Sequence, residues 1–196
     1  MKNNMILKTL IICAFIATSC NKDDDNKDDQ GCIKDENFFE AEFDGMIIEP
    51  RWITGGGVSA YTLYVYRNNE DENDWEVTFT SNNRISLHFS LINVDGTGNY
   101  PIDAAASNEL PPTPFTFSKT YIYIEKIIDD STIYYFSEEG TGDIEITDYN
   151  IEDGILIGTF NCELYNSLDP SIIMPISGEF NINLSTLNID KRPCWL

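Results

Sequence analysis

The sequence predicts an all-β domain: a single antiparallel β-sandwich of about nine to eleven strands, with a β-barrel as the alternative closure. Three observations carry this. From residue 38 onward Phe, Tyr, Ile, Thr and Val alternate with polar residues in short runs, the period of strands with one buried face. Clusters of Gly, Asn, Asp and Pro separate the runs at hairpin spacing. No segment beyond the N-terminal apolar run repeats its apolar positions with a helical period.

In order, Phe39-Glu40-Ala41-Glu42-Phe43 alternates, Asp44-Gly45 is a favoured two-residue hairpin turn, and Met46-Ile47-Ile48 returns until Pro50 interrupts pairing. Strands over 58–66 and 75–80 flank an acidic tip running from Asn68 to Asp74. Ile85, Leu87, Phe89 and Leu91 share one face of the next strand; Ser86, His88 and Ser90 share the other, which points His88 towards water. Residues 96–101 end that hairpin, and 107–114, with Pro111, Pro112 and Pro114, form a stiff loop. Strands resume over 115–126 and 132–136. A hairpin follows, 142–147 returning through Asn150 to Gly154 into 155–165, and strands over 172–176 and 178–184 complete the sheet. Residues 38–189 are about as many as one domain that buries roughly two-thirds of its unfolded surface, so neither metal nor disulfide is required for folding. No fixed-period repeat suggests a propeller or solenoid.

The chain is organised as 1–19, 20–37 and 38–196. Lys2 and Lys8 flank and enter an apolar run from Met5 to Ala17. It is too short for a bilayer span, which needs about 20 apolar residues, and suits a signal peptide. Ala17-Thr18-Ser19-Cys20 resembles the lipobox of bacterial lipoproteins, with Ala17 where Leu is usual. The resemblance implies cleavage before Cys20 and acylation of its thiol and amino group, and several acyl chains suffice for stable anchoring. Asn21-Lys22-Asp23-Asp24-Asp25 is similar to the export tag that sends lipoproteins of Bacteroidota to the outer leaflet of the outer membrane. A solvated spacer on a periplasm-facing protein is the alternative. Residues 21–37 are rich in Asp, Asn and Lys and poor in apolar residues, the composition of a flexible tether.

The net charge is −21, and loss of residues 1–19 leaves about −23. A field of that sign repels phosphate backbones, which argues against nucleic-acid partners. Of the five cysteines, Cys13 leaves with the signal and Cys20 is acylated. Cys162 falls on the apolar face of its strand and reads as a free core thiol. Cys32 and Cys194 lie just outside the two ends of the domain, and an oxidising envelope permits a Cys32–Cys194 disulfide; the alternative pairs Cys162 with one of them.

The order Phe39-x-Ala41-x-x-Asp44-Gly45, Gly98-x-Tyr100, Gly142-x-Ile144-x-Ile146-Thr147, Gly158-Thr159-Phe160 and Gly178-Glu179-Phe180 is similar to a family of Bacteroidota lipoproteins of unknown function. The resemblance covers most of 38–184 and implies the same fold and compartment, with no catalytic residue to carry over. In that family a Trp closely follows the Asp-Gly turn. Here Trp52 comes seven residues after Gly45 and behind Pro50, which predicts a longer or bulged first hairpin.

Familiar catalytic signatures are missing: the single His excludes H-E-x-x-H, and there is no C-x-x-C and no G-x-S-x-G. Gly55-Gly56-Gly57 lacks the Lys-Ser/Thr of a phosphate loop and reads as a mobile loop. A glycan hydrolase needs two facing carboxylates, and no pair can be singled out among 33 acidic residues. Calcium selects carboxylates and carbonyls. Asp148-x-Asn150-x-Glu152-Asp153-Gly154 only faintly resembles its loop and reads as a hairpin turn, while the 70–74 tip reads as solvated acids, so no cofactor is assigned.

The tyrosines are more suggestive. Tyr121 and Tyr123 share one strand face with Lys119 and Glu125, and Tyr64, Tyr66 and either Tyr134 or Tyr135 can join them across strands. A flat row of Tyr beside carboxylates suits stacking of sugar rings. The reading is an outer-membrane lipoprotein acting as a non-catalytic binding or accessory module for a polysaccharide or an envelope protein. Its alternatives are a glycan hydrolase and a structural component of the envelope.

Overall fold

The computed structural model describes residues 34–67, 73–105 and 119–196. All belong to one compact unit, Cys32–Leu196. The signal segment, Cys20, the Lys22 to Asp25 export signal, Cys32, most of the acidic tip and the 107–114 loop lie outside the described residues. The secondary structure is antiparallel β throughout: β1 (Phe38–Phe43), β2 (Met46–Ile48), β3 (Trp52–Gly55), β4 (Val58–Tyr61), β5 (Tyr64–Arg67), β6 (Trp75–Thr80), β7 (Ile85–Leu91), β8 (Gly98–Pro101), β9 (Tyr121–Ile128), β10 (Ser131–Asn150), β11 (Ile155–Asn166) and β12 (Ile173–Asn183).

Ten of these form one sheet in the order β2-β1-β12-β11-β10-β9-β7-β6-β5, with β8 also paired to β10; β3 and β4 make a separate hairpin. The sheet curls into a half-barrel. Its fold line is β10, which is long enough to serve two layers. Ser131 to Phe136 pair with β9, whereas Asp143 to Ile146 pair with β8. Between them the register against β11 jumps from Ser137↔Leu164 to Gly142↔Cys162, so three extra residues loop out and bend the strand. Gly142 is required on the return: a Cβ there would lie 1.9 Å from the Asn161 carbonyl oxygen.

Folding the sheet on itself places apolar faces against each other, as in a sandwich. Phe39 on β1 is at the centre. Its ring packs 5.2 Å from Phe79 and 5.6 Å from Phe89 in the opposite layer, and 5.3 Å from Phe160 and 5.5 Å from Phe180 in its own. Phe43 meets Tyr135 at 5.2 Å, so of the two candidate tyrosines on β10 it is Tyr135 that faces the core. Cys162 is free and buried there, as its alternation predicts.

Several elements differ from the sequence reading. The first hairpin is neither long nor bulged: Phe43 pairs with Met46 around Asp44 and Gly45, both at positive φ, a type I′ turn. Trp52 instead opens the β3–β4 hairpin and packs on the core. The expected 58–66 strand is broken at Thr62-Leu63, where Thr62 leaves the ladder to accept from Arg51 N and donate to Thr80 O. The pairs 132–136 and 142–147, and 172–176 and 178–184, are continuous as β10 and β12.

Lys34 to Asn37, assigned from composition to the tether, are fastened to the end of the chain. Asn183 N donates to Asn37 Oδ1 at 2.9 Å, Asn37 Nδ2 to Thr186 Oγ1 at 2.8 Å, and Thr186 Oγ1 to Glu36 Oε2 at 2.9 Å. Tyr61 Oη donates to the Asn37 carbonyl. Cys194, beside these residues, is disulfide-bonded. Cys162 is free, so the alternative pairing of Cys162 with Cys194 does not form; the expected partner, Cys32, lies outside the described residues.

Candidate ligand-binding face

Directly opposed residues of an antiparallel ladder share a face, so the registers define a row across the outer surface of the second layer. Tyr64 pairs with Thr78, Thr78 with His88, His88 with Tyr123, and Tyr123 with Phe136, which pairs in turn with Tyr165. A parallel row runs Tyr66, Glu76, Ser90 and Tyr121. The fold therefore brings Tyr64, Tyr66, Tyr121, Tyr123 and Tyr134 to one face.

It does not leave all of them open. Tyr121 is 5 % exposed and Tyr123 1 %, and with Phe136, Tyr134 and Ala105 they form a second apolar cluster. The expectation of a flat platform centred on Tyr121 and Tyr123 is corrected accordingly. The rings close on one another, Tyr123 lying 6.2 Å from Tyr121 and 6.1 Å from Phe136, with Ala105 packed beside them; the segment that carries Ala105 is tied in at the sheet's edge, Asp103 N donating to Thr120 O at 2.7 Å, Ala105 N to Ser137 O at 2.9 Å, and Ser137 Oγ to Asp103 O at 2.9 Å. Alternation along β9 cannot anticipate that rings from neighbouring strands pack on these two and exclude water. The tyrosines that keep solvent contact are at the borders, with Tyr64 49 % exposed and Tyr66, Tyr134 and Tyr165 partly so.

His88 is also not free in water. Its ring stacks on Tyr123 at 4.2 Å and 7°, and burial lowers its pKa to about 4. Glu125 Oε1 lies 3.6 Å from His88 Nε2, which favours a proton on the ring, but that carboxylate is itself raised in pKa by burial, as is Glu76. Tyr123 is held protonated, chiefly by burial and then by Glu125. The raised carboxylates do not make a retaining hydrolase pair. Glu76 opposes Ser90 and Glu125 opposes Ser86 on either side of β7, which sets their Cα atoms about 16 Å apart, against a carboxylate separation of about 5 Å in such pairs.

Where this face meets the β10 bulge, a groove of about 460 Å³ opens between Ala105, Phe136, Glu138, Tyr165, Asn166 and Pro170. Tyr165 and the largely buried Phe136 line it, with the Glu138 and Glu139 carboxylates exposed beside them, while Asn166 Oδ1 accepts from Leu168 N and Asp169 N within its own loop. A groove of about 660 Å³ on the other layer is lined by Glu42, Asp44 and Glu163 with Asn161 and Met174, and has no aromatic ring. That layer's outer surface is acidic, Glu40 standing directly opposite Glu179.

The 148–154 segment is a hairpin turn: Asn150 Oδ1 accepts from Glu152 N and Asp153 N, and Gly154 is at positive φ. Among the described residues no group of three His, Cys, Asp or Glu is placed to hold a metal ion. The Gly55 to Gly57 segment is the tip of the β3–β4 hairpin. No family model, curated protein or solved structure matches the chain.

Proposed function

We propose that the chain is an outer-membrane lipoprotein anchored through acylated Cys20, carried to the cell surface by Lys22 to Asp25, and acting as a non-catalytic module that binds a polysaccharide. The observation that supports a glycan is the aromatic-walled groove at the end of the tyrosine row. Tyr165 offers a ring beside the largely buried Phe136, Glu138 and Glu139 offer acceptors for hydroxyls, and Tyr64 and Tyr134 extend the apolar track. Sugar recognition needs this pairing of flat apolar area with convergent polar groups. The acidic surface favours neutral or amino sugars over sulfated or uronic ones.

The test is affinity electrophoresis of the mature chain in a panel of neutral, amino and acidic polysaccharides, with Tyr165→Ala and Tyr64→Ala alongside. Retardation by a neutral or amino polymer, lost at least fivefold in Tyr165→Ala, supports the reading. Retardation that survives both substitutions, or none with any polymer, sinks it. Protease shaving of intact cells tests the surface placement separately: a protected domain would refute the export signal.

A further inference from the structure

The segments that line the groove beside Tyr165 are tied down by hydrogen bonds, so its shape is held without a ligand. Ala104 and Ala105 are fixed through Ala105 N, which donates to Ser137 O at 2.9 Å. Ser167 and Pro170 belong to the β11–β12 loop, where Ser167 N donates to Tyr134 O at 2.9 Å and Asn166 N to Ile172 O at 3.1 Å. The bulge that carries Glu138 and Glu139 is closed by Thr141 Oγ1, donating to Glu138 O at 2.7 Å, and docked by Gly140 N, donating to Ile102 O at 3.1 Å. At about 460 Å³ the groove falls within the range of small-ligand sites, roughly 300–1,000 Å³.

Its charge is unbalanced. Glu138 and Glu139 line it, and no Lys, Arg or His does. The ion pairs among the described residues draw on Lys34, His88 and Lys126, and none includes either glutamate. A ligand settling here covers part of these carboxylates and strips their water. A neutral sugar returns only hydroxyl hydrogen bonds, whereas a charge taken out of water without a counter-charge is costly. A sulfated or uronic sugar adds repulsion. An ammonium group supplies the missing charge together with three N–H donors for the carboxylate oxygens, and the Tyr165 ring beside them is a favourable neighbour for the same cation.

We infer that the sugar residue held in this groove is a hexosamine with a free, protonated amine. This rests on the glycan reading above and narrows its substrate class. A metal ion is disfavoured, since among the described residues no group of three His, Cys, Asp or Glu is placed to hold one. A Lys side chain or a linear polyamine carries its ammonium on a bare methylene chain. A hexosamine carries it directly on a ring, whose apolar C–H face can pack against the partly exposed Tyr165 while its hydroxyls donate to the remaining carboxylate oxygens. Charge and flat apolar area then arrive together, as the lining of the groove requires.

The experiment is calorimetric titration of the mature chain with a glucosamine hexasaccharide and with its fully N-acetylated form at pH 6, so that only the amine differs. The free-amine form should bind at least tenfold tighter. Its affinity should fall at least fivefold at pH 9, where the amine loses its proton, in Tyr165→Ala, and in Glu138→Gln with Glu139→Gln, both exposed positions that accept Gln without refolding. Glu145→Gln with Glu179→Gln takes the same charge from exposed positions on the other layer and should leave the affinity within twofold. Equal or tighter binding of the acetylated form, lost in Tyr165→Ala, would overturn the amine and leave the glycan reading standing. No binding of either form would overturn it too, and the polymer panel then decides separately on the glycan reading. Binding indifferent to the Glu138 and Glu139 substitutions, or weakened equally by the Glu145 and Glu179 pair, would reduce it to attraction by the acidic surface at large and overturn the proposal. So would spermine or a Lys hexapeptide that binds as tightly as the free-amine sugar.

Discussion

Gly178→Ala probes the centre of the fold at one methyl group. Gly178 opposes Phe160 on β11 and Ala41 on β1, while Gly158 opposes Phe180. Each Phe ring thus lies over the glycine of the neighbouring strand, which is why both strands carry Gly-x-Phe. A Cβ on Gly178 would sit 2.3 Å from the Glu40 carbonyl oxygen and 2.6 Å from Phe160 Cε1. Ordinary contact begins near 3.4 Å, so β1 must retreat by about 1 Å and the ring by nearly as much. Overpacking of this kind costs about 1–3 kcal/mol, less a gain of about 0.5–1 kcal/mol from the lower chain entropy of Ala. At about 2–4 °C per kcal/mol for a domain of this size, the midpoint should fall by several degrees. Urea and thermal denaturation measure it, with Gly96→Ala, where a Cβ meets nothing within 4 Å, as control. In a double-mutant cycle with Phe160→Ala, which alone should cost about 3–5 kcal/mol, the two losses should sum to more than the double variant shows, because the ring that obstructs the methyl is gone. Gly178→Ala as stable as Gly96→Ala, or strict additivity with Phe160→Ala, would refute the ring-over-glycine account.

Three further outcomes follow from the same geometry. His88 is the sole histidine, so proton NMR of the untagged chain should show one imidazole titrating near pH 4 and not near 6.5. Because its folded pKa is depressed, the associated stability is complete above about pH 6.5 and is lost as pH falls towards 4, about 3 kcal/mol in all; His88→Gln should flatten that slope, and a midpoint near 6.5 would contradict the stacked, desolvated ring. Cys162, whose thiol burial pushes up to about 12, should resist alkylation in the folded protein and react at once in urea; rapid labelling of the native state would place it outside the core. Glu179→Lys, opposite Glu40, should raise stability by about 0.2–1 kcal/mol at low salt, and 0.5 M NaCl should shrink the difference; no change would mean the acidic face is fully screened.

The sequence by itself determined the class of fold, most strand positions and the turns whose chemistry is local. Asp44-Gly45 forms the expected tight hairpin because both residues accept positive φ, and Phe39, Phe89, Phe160 and Cys162 face inward because a strand alternates. It also assembled the right tyrosines: Tyr64, Tyr66, Tyr121 and Tyr123 do share a face, since pairing preserves the side each residue takes. Only tertiary structure decided which of them water can reach. Tyr121 and Tyr123 are buried among Phe136, Tyr134 and Ala105, His88 loses its solvent to Tyr123, and the open groove appears at Tyr165, which periodicity did not single out. The bend at the Glu138 to Thr141 bulge, the division of β10 between two layers, and the fastening of Glu36 and Asn37 to the chain's far end depend likewise on partners distant in sequence. Alternation records which side of a strand is apolar; it carries no information about what later comes to lie on the other side.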